Sequence, residues 1–443
     1  MTYREAIQYL YGLIDYEKTP LSYSDLKLER MRELMERIGN PQKRFPVILV
    51  AGTKGKGSTA YFLMRLFSAW GFRCGFHSKP HLFTFRERIR IGEKCISPQD
   101  VALLLEYLIP TIEDMEHHSP FGRPTYFEVS VAMALLYFYF QEVDVAIVEV
   151  GLGGRLDATN ICDPLLTIIT PISFDHMEIL GDTLAKIAQE KTGILRKGVK
   201  LILAPQEEEA KDTIFDEASR KGSPVFPVER FCCYEILTRG IHGSSICWEI
   251  EGWGGGESHV PLLGDHQVLN LMVALLAGKE WGLPFRKQNV EGALKGARWP
   301  GRIEVLSQQP LVVFDVAHNQ ASFAQLTTTL RSFLHVSKAV FLLGFLKGKE
   351  YWKIAEEIVP QSRKIILTQP LNPKAVSPLE IVPCFERQGI PVEVVEDPFE
   401  AREVAFQYSK NMHLPLIVAG SFYLAQPFIQ EFSLSYKEEV EIC

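Results

Sequence analysis

The sequence predicts a two-domain α/β protein: a phosphate-loop domain built on a mostly parallel sheet, followed by a smaller, doubly wound α/β domain. Three observations predict it. The run Val47–Ala51 is short, apolar and rich in β-branched residues, as in strands covered on both faces, and it enters Gly52-Thr-Lys-Gly-Lys-Gly-Ser-Thr59 and a helical pattern. Two more buried-strand patterns, at 143–150 and 165–173, end beside polar residues, Glu149 in one case and Asp175-His176 in the other. Beyond Trp299-Pro-Gly-Arg302, strand patterns at 311–316, 338–344, 364–369, 392–396 and 415–419 alternate with helical segments, marking the boundary and the second domain.

The glycines at 52, 55 and 57 let the backbone bend tightly enough to aim its N–H groups at a phosphate. Lys56 supplies a point charge, Ser58 or Thr59 a hydroxyl for Mg2+, and the helix starting there adds its dipole. Leu63, Leu66, Phe67 and Trp70 recur at helical spacing until Gly71 stops the helix. Gly52 stands closer to Gly55-Lys56 than in the commonest phosphate loop. Glu149, near the carboxyl end of a buried strand, needs a compensating cation, which in such folds is usually Mg2+. His176, past the end of the next strand, is a candidate ligand for the same metal. Lys191 closes a predicted helix at 183–191, a place the helix dipole alone would favour.

In chain order, 3–14 and 24–38 read as amphipathic helices, with a polar loop at 16–23 beside the active site. Residues 73–82 read as a strand entering a proline-bent loop. Residues 85–91 alternate like a strand, with Arg86, Arg88 and Arg90 on one face. That face is either a solvated edge or, through Arg86 and Arg88, a guide for a carboxylate-bearing substrate. Thr125-Tyr-Phe-Glu128 opens an apolar helix to Phe140, and Gly151 to Asn160 is a glycine-rich loop of the kind where α/β ligand sites gather. Residues 206–260 read as an antiparallel excursion without chemistry, and 261–270 lead into a helix at 271–281. In the second domain Asp315, His318 and Asn319 follow the first strand, at the end of a sheet where ligands bind.

Composition bounds the function. At 443 residues the chain exceeds one ordinary core, and 47% hydrophobic with 23% charged residues is the make-up of a soluble globular protein. A net charge of −7 argues against a broad nucleic-acid or anionic-membrane surface, yet allows a local basic pocket. Eight cysteines without a CxxC pair fit a reducing compartment. Cys232-Cys233 reads as two thiols in a strand, since no second ligand pair lies nearby. The first residues lack the basic-then-apolar order of a signal peptide, and the longest apolar run, 129–140, is too short to span a bilayer. The expectation is a cytoplasmic, monomeric enzyme acting on small molecules.

Taken together, Ala51 to Ser58, Pro80-His-Leu82 with Arg86 to Ile89, Glu149 to Asn160, Asp175-His176 with Ile179 to Thr183, Glu190 to Gly193, Gly264 to Asn270, Gly301-Arg302 and Asp315 to Asn319 make the sequence resemble the folylpolyglutamate synthase and dihydrofolate synthase family of Mur-type amide ligases. The resemblance spans nearly the whole chain. It implies an ATP-binding domain at 1–298 and a Rossmann-like, glutamate-binding domain at 303–443, with the active site between them. It implies that ATP phosphorylates a substrate carboxylate, and that the glutamate amine then attacks the acyl phosphate. It assigns catalysis to Lys56, Glu149, His176 and Lys191, the last as a carbamylated lysine, against the dipole reading. It assigns Mg2+ to Ser58, Glu149 and His176, and the nucleotide to Gly52, Thr53, Lys54, Gly55, Lys56, Gly57, Ser58, Thr59, Asn270, Arg302 and Asp315. It assigns substrates to Lys79, Arg86, Thr125, Phe127, Glu128, Leu156, Asp157, Ala158, His318 and Ser421.

The sequence also departs from that family. Lys79 stands where a serine usually helps bind Mg2+, and a protonated ammonium cannot ligate a metal. Lys54 replaces an asparagine common in bacterial members, though lysine also occurs there. Val316 and Gln320 replace a frequent glycine and proline, and Ala425-Gln-Pro427 departs from the usual ending. The resemblance implies that the acceptor is dihydropteroate, a reduced folate or both, with two competing readings: another carboxylate acceptor, or a nucleotide-dependent regulatory protein without ligase activity.

Overall fold

Strand Val47–Ala51 lies at the heart of an eight-stranded sheet because every one of its side chains is apolar and buried. The computed structural model describes residues 1–16 and 22–432, with side chains through 428. In order across the sheet run Lys94–Cys95, Ile89–Ile91, Cys74–His77, Val145–Glu149, Val47–Ala51, Leu166–Ile169, Lys200–Leu203 and Val225–Pro227. The pairings from Cys74–His77 onward are parallel, and the first two strands run antiparallel. Successive side chains alternate faces. Val47, Leu49 and Ala51 join a core under helices Tyr3–Tyr11, Leu28–Arg37, Pro98–His118 and Tyr126–Phe140, whereas Ile48 and Val50 join the core of Lys56–Ala69 and Asp265–Trp281. In the neighbouring strand Ile147 joins the second core and Val148 the first, so the alternation carries Glu149 to the side of the phosphate-loop helix.

Two expectations fail here. Residues 85–91 are not one strand: Phe85–Arg88 is a 3-10 turn and only Ile89–Ile91 is extended. Glu87 accepts the N–H groups of Leu82, Phe83 and Thr84, and that local capping outweighs the alternating pattern. Arg88 is fully buried, with Nε on His81 Nδ1 at 2.8 Å and its guanidinium 5.2 Å from the Tyr126 ring centroid. Arg86 Nε donates to Ile96 O at 2.7 Å and Arg90 Nε to Glu87 O at 3.1 Å, so these arginines brace the fold instead of forming a solvated edge. Residues 206–260 are also not wholly antiparallel. Glu208–Lys221 is a helix whose Ala210, Ile214 and Ala218 are buried at four-residue spacing, and Val225–Pro227 extends the parallel sheet. Only Cys232–Gly240, Gly243–Ile250 and Gly254–Val260 form an antiparallel sheet.

The second domain orders its strands Glu304–Gln308, Leu311–Phe314, Leu416–Ala419, Ala339–Leu343, Ser362–Leu367 and Val392–Val394. All five anticipated strands are present and parallel; the polar edge strand Glu304–Gln308, antiparallel to its neighbour, is additional. The linker at 299–302 is clamped to the first domain. Trp299 stacks on Tyr61 with ring centroids 4.8 Å apart, and Arg298 N donates to Tyr61 Oη at 3.0 Å. Among the described residues no disulfide forms, and no helix is long and apolar enough to cross a membrane.

Candidate active site between the domains

The carboxyl ends of both sheets meet across a cavity of about 310 Å³. On the first-domain side, backbone geometry shapes the wall. Gly52 sits at φ +136°, where a Cβ would lie 1.9 Å from Thr170 Oγ1, and Gly55 at φ +82°, where a Cβ would lie 2.3 Å from Asn270 Oδ1. Only glycine fits either place. The N–H groups of Thr53 and Lys54 both donate to Pro171 O at 3.0 Å, so they hold the loop itself. The first-turn amides of Lys56–Ala69 have no partner within the helix and remain for an anion. Thr59 is buried and its Oγ1 donates to Asn270 Oδ1 at 3.4 Å, while Asn270 Nδ2 donates to Gln267 Oε1 at 3.0 Å. Of the two candidate hydroxyl residues Ser58, not Thr59, lines the cavity.

The charges crowd together. Lys56 Nζ donates to Gly52 O at 3.1 Å and Thr53 O at 3.4 Å; burial pushes its pKa down against the pull of Glu149. Lys191 Nζ donates to the same Gly52 O at 2.8 Å, and burial with the neighbouring Lys56 brings its pKa down to about 7. Lys191 stands in the last turn of Leu184–Lys191, as the dipole reading has it, and its buried amine is also aimed at the loop. Lys54, half-buried near Asp175, is brought down to about 8 by desolvation. Glu149 is pushed up by burial, opposed by Lys56; its Oε2 accepts the Lys79 N–H at 3.3 Å, and it forms no ion pair among the described residues. A buried carboxylate beside a serine hydroxyl at a phosphate-binding helix start is a donor set that fits a divalent cation. His176 is half-exposed with Nδ1 3.8 Å from Glu178 Oε1, and among the described residues no three His, Cys, Asp or Glu side chains gather to hold a metal ion.

The second domain brings Arg302, Asp315, His318 and Ser421 to the same cavity. Asp315 accepts the N–H groups of Ile303 at 2.8 Å and Ala317 at 2.7 Å, and burial pushes its pKa up to about 6 despite Arg302. The Arg302 guanidinium lies 5.3 Å from the Phe422 ring centroid. Ser421 Oγ accepts the Tyr423 N–H at 3.2 Å. Asp175 bridges the domains: His318 Nε2 is 3.9 Å away, Lys349 Nζ 3.6 Å, and Asn319 Nδ2 donates to it at 3.4 Å. Burial raises the Asp175 pKa, but His318, His176 and Lys349 outweigh it and hold the carboxyl well below its usual range. His318 Nδ1–H donates to Val316 O at 2.9 Å, which turns Nε2 toward Asp175.

Other anticipated residues lie elsewhere. Thr125 and Glu128 form a capping box at the start of Tyr126–Phe140, and Glu128 pairs with buried Arg30 at 2.7 Å. Asp157 accepts Leu152 N–H at 2.7 Å and Thr159 N–H at 3.0 Å; Leu156 is half-buried and Ala158 buried. Arg86 is bound to Ile96 as described. Phe127 and Asp157 pack against Gly151, which lines the cavity, and Lys79 Nζ lies 5.6 Å from the Phe127 ring centroid. Of the loop at 16–23, residues 17–21 lie outside the described residues; its ends reach Lys374, which donates to Tyr16 O at 3.0 Å, and Arg155 with Glu190 at Tyr23. His266, Lys349 and Phe422 line the cavity without having been foreseen. Lys349 and Phe422 follow strands Ala339–Leu343 and Leu416–Ala419 at their carboxyl ends, a positional signal that could have found them.

Comparison with known proteins agrees with this arrangement. Residues 50–278 match the Mur ligase middle domain, and residues 301–422 match the Mur ligase, glutamate ligase domain. A dihydrofolate synthase/folylpolyglutamate synthase of Bacillus subtilis is 33% identical over 365 residues, covering 80% of this chain and 82% of the relative. The structure of Mycobacterium tuberculosis folylpolyglutamate synthase complexed with ADP superposes with a TM-score of 0.88 at 29% identity, over 97% of this chain and 98% of that one. A folylpolyglutamate synthase complex with AMPPCP and folate gives 0.83 at 26% identity, over 97% and 99%. With matched domains on both sides of the cavity and relatives that span most of its length, the chain belongs to the folylpolyglutamate synthase/dihydrofolate synthase family of Mur-type ligases.

Proposed function

We propose that this protein joins L-glutamate to the carboxylate of dihydropteroate, a reduced folate or both, at the expense of ATP and through an acyl phosphate. The observation that carries the reading is the pairing across one cavity of a phosphate loop bearing Lys56 with the Asp175, His318 and Lys349 cluster. An acceptor carboxylate oxygen attacks the γ-phosphorus of ATP, ADP leaves, and an acyl phosphate forms. The glutamate amine then attacks the acyl carbon, phosphate departs and the amine loses a proton, leaving an amide. Lys56 and the first-turn amides neutralise charge on the phosphoryl group in transit. Glu149 and Ser58 would hold Mg2+, with His176 the less well placed third candidate; the ion would supply positive charge to offset that of the phosphates. Asn270, Arg302 and Asp315 would hold the nucleoside end, and His318 with Ser421 the glutamate side.

Lys191 fits the carbamate role. Near neutral pH a large share of its amine is unprotonated and nucleophilic, able to attack CO2 and release a proton. With a cavity sized for small molecules, the protein is read as a cytoplasmic monomer without nucleic-acid or membrane partners. One observation favours a different carboxylate acceptor: Thr125, Glu128 and Asp157, the anticipated pterin contacts, spend polar atoms on their own turns. The test is phosphate release from ATP with Mg2+ and glutamate, comparing dihydropteroate, tetrahydrofolate and no acceptor, with mass analysis of products. A product heavier by one glutamyl unit establishes the acceptor; silence with both pteroyl compounds, in protein that binds ATP, selects the alternative.

A further inference from the structure

The cavity holds more basic side chains than its carboxylates can pair. Lys54, Lys56, Lys79, Arg302 and Lys349 line it against Glu149, Asp175 and Asp315. Asp175 is occupied by Lys349 and His318, and Asp315 by two backbone N–H groups. Of these three carboxylates Glu149 is the one left uncommitted beside the phosphate loop, and one of its oxygens already accepts the Lys79 N–H. That hydrogen bond anchors Lys79 at the carboxylate. Its ammonium, 5.6 Å from the Phe127 ring centroid, forms no ion pair among the described residues, so its three donors are uncommitted to carboxylate.

We propose that the Lys79 ammonium stands where a second divalent cation would otherwise bridge nucleotide and acceptor, so that the nucleotide complex of this protein holds one divalent ion. The proposal deepens the ligase reading and rests on it for the identity of the ligands. Glu149 with Ser58, and a carbamate at Lys191 where one forms, supports one ion, and a second would need a further oxygen ligand at the place where the chain carries a cation. Lys79 cannot coordinate a metal, but it can donate to a phosphoryl oxygen on one side and an acceptor carboxylate on the other. Lys79 is part of the chain, whereas a second ion would come and go with concentration.

The test counts Mn2+ bound to the full-length protein saturated with AMPPCP, by electron paramagnetic resonance of the free ion. One Mn2+ per complex is expected for the wild type and for Lys79→Arg, and two for Lys79→Ser. Two ions in the wild type overturn the proposal, as does a count of one in a Lys79→Ser protein that still binds AMPPCP. Should Lys79→Ser fail to fold, the wild-type count decides alone, and Lys79→Gln, which also removes the charge, repeats the comparison. No acceptor or turnover enters the count, so failure here is separate from failure of the ligase reading, which phosphate release decides.

Discussion

Two pairs of hydroxyl and carboxylate in the first domain, Ser58 with Glu149 and Thr125 with Glu128, are alike in burial and differ in their partners. Each stands at the start of a helix or at its flank, and each carboxylate is buried. Glu128 accepts the Thr125 N–H at 2.8 Å, the Thr125 hydroxyl at 2.9 Å and Arg30 Nε at 2.7 Å, which leaves it little capacity for a ligand. Glu149 has a single backbone N–H, and no cation in pairing distance among the described residues. The difference teaches that a buried carboxylate is available for chemistry in proportion to the hydrogen bonds it lacks, because unmet desolvation is what a metal or substrate can relieve.

The largest effect that would break this comparison is on turnover. Glu149→Gln keeps the shape and removes the charge, and phosphate release is expected to fall about 1000-fold. Its melting temperature should hold or rise, because an unpaired buried charge has been removed. A variant with wild-type turnover would show that Glu149 has no part in the reaction. Glu128→Gln inverts the pattern: it strands Arg30 in the interior, at a cost of about 3 kcal/mol. Denaturant unfolding should record that loss while AMPPCP affinity in the folded protein stays within a few-fold. A large change in acceptor KM without loss of stability would instead restore Glu128 to the substrate site.

The same contrast decides what was legible in the sequence. Continuous apolar runs marked the central strands, because burial on both faces removes polar residues, and the cavity residues at their ends followed from position. The second domain's five parallel strands were legible for that reason. Its edge strand Glu304–Gln308 was not, since Glu-Val-Leu-Ser-Gln carries a half-solvated pattern and pairs with one neighbour only. The capped turn at Phe85–Arg88 was missed because Glu87 satisfies three local N–H groups, a geometry that spacing does not reveal. Thr125 and Glu128 matched a family segment, yet composition could not say that Arg30, 98 positions away, would claim the carboxylate. Lys349 belongs to no motif at all and reaches Asp175 only because the two sheets face each other.

The smallest effect sharpens the comparison across the cavity, between Asp175 and Asp315. Asp315 is buried and Asp175 half-buried; Asp175 faces cations and is held well below its usual range, whereas burial takes Asp315 up to about 6. For Asp175 the unfolded chain binds more protons, so its stabilisation is full above about pH 4, the ordinary aspartate value, and fades as pH falls below it. For Asp315 the folded chain binds more protons between about pH 4 and 6, so its contribution falls as pH rises through that window. The two windows are adjacent and do not coincide, which lets one titration separate them. Unfolding free energy measured from pH 4 to 6 should decline by about 1–2 kcal/mol more in the wild type than in Asp315→Asn, which cannot titrate. The Asn variant starts lower because its amide can replace only one of the two carboxylate oxygens that accept Ile303 and Ala317. A parallel pH dependence in both proteins would mean that Asp315 titrates alike folded and unfolded, and its partners would then rank with those of Glu128, as a site already satisfied.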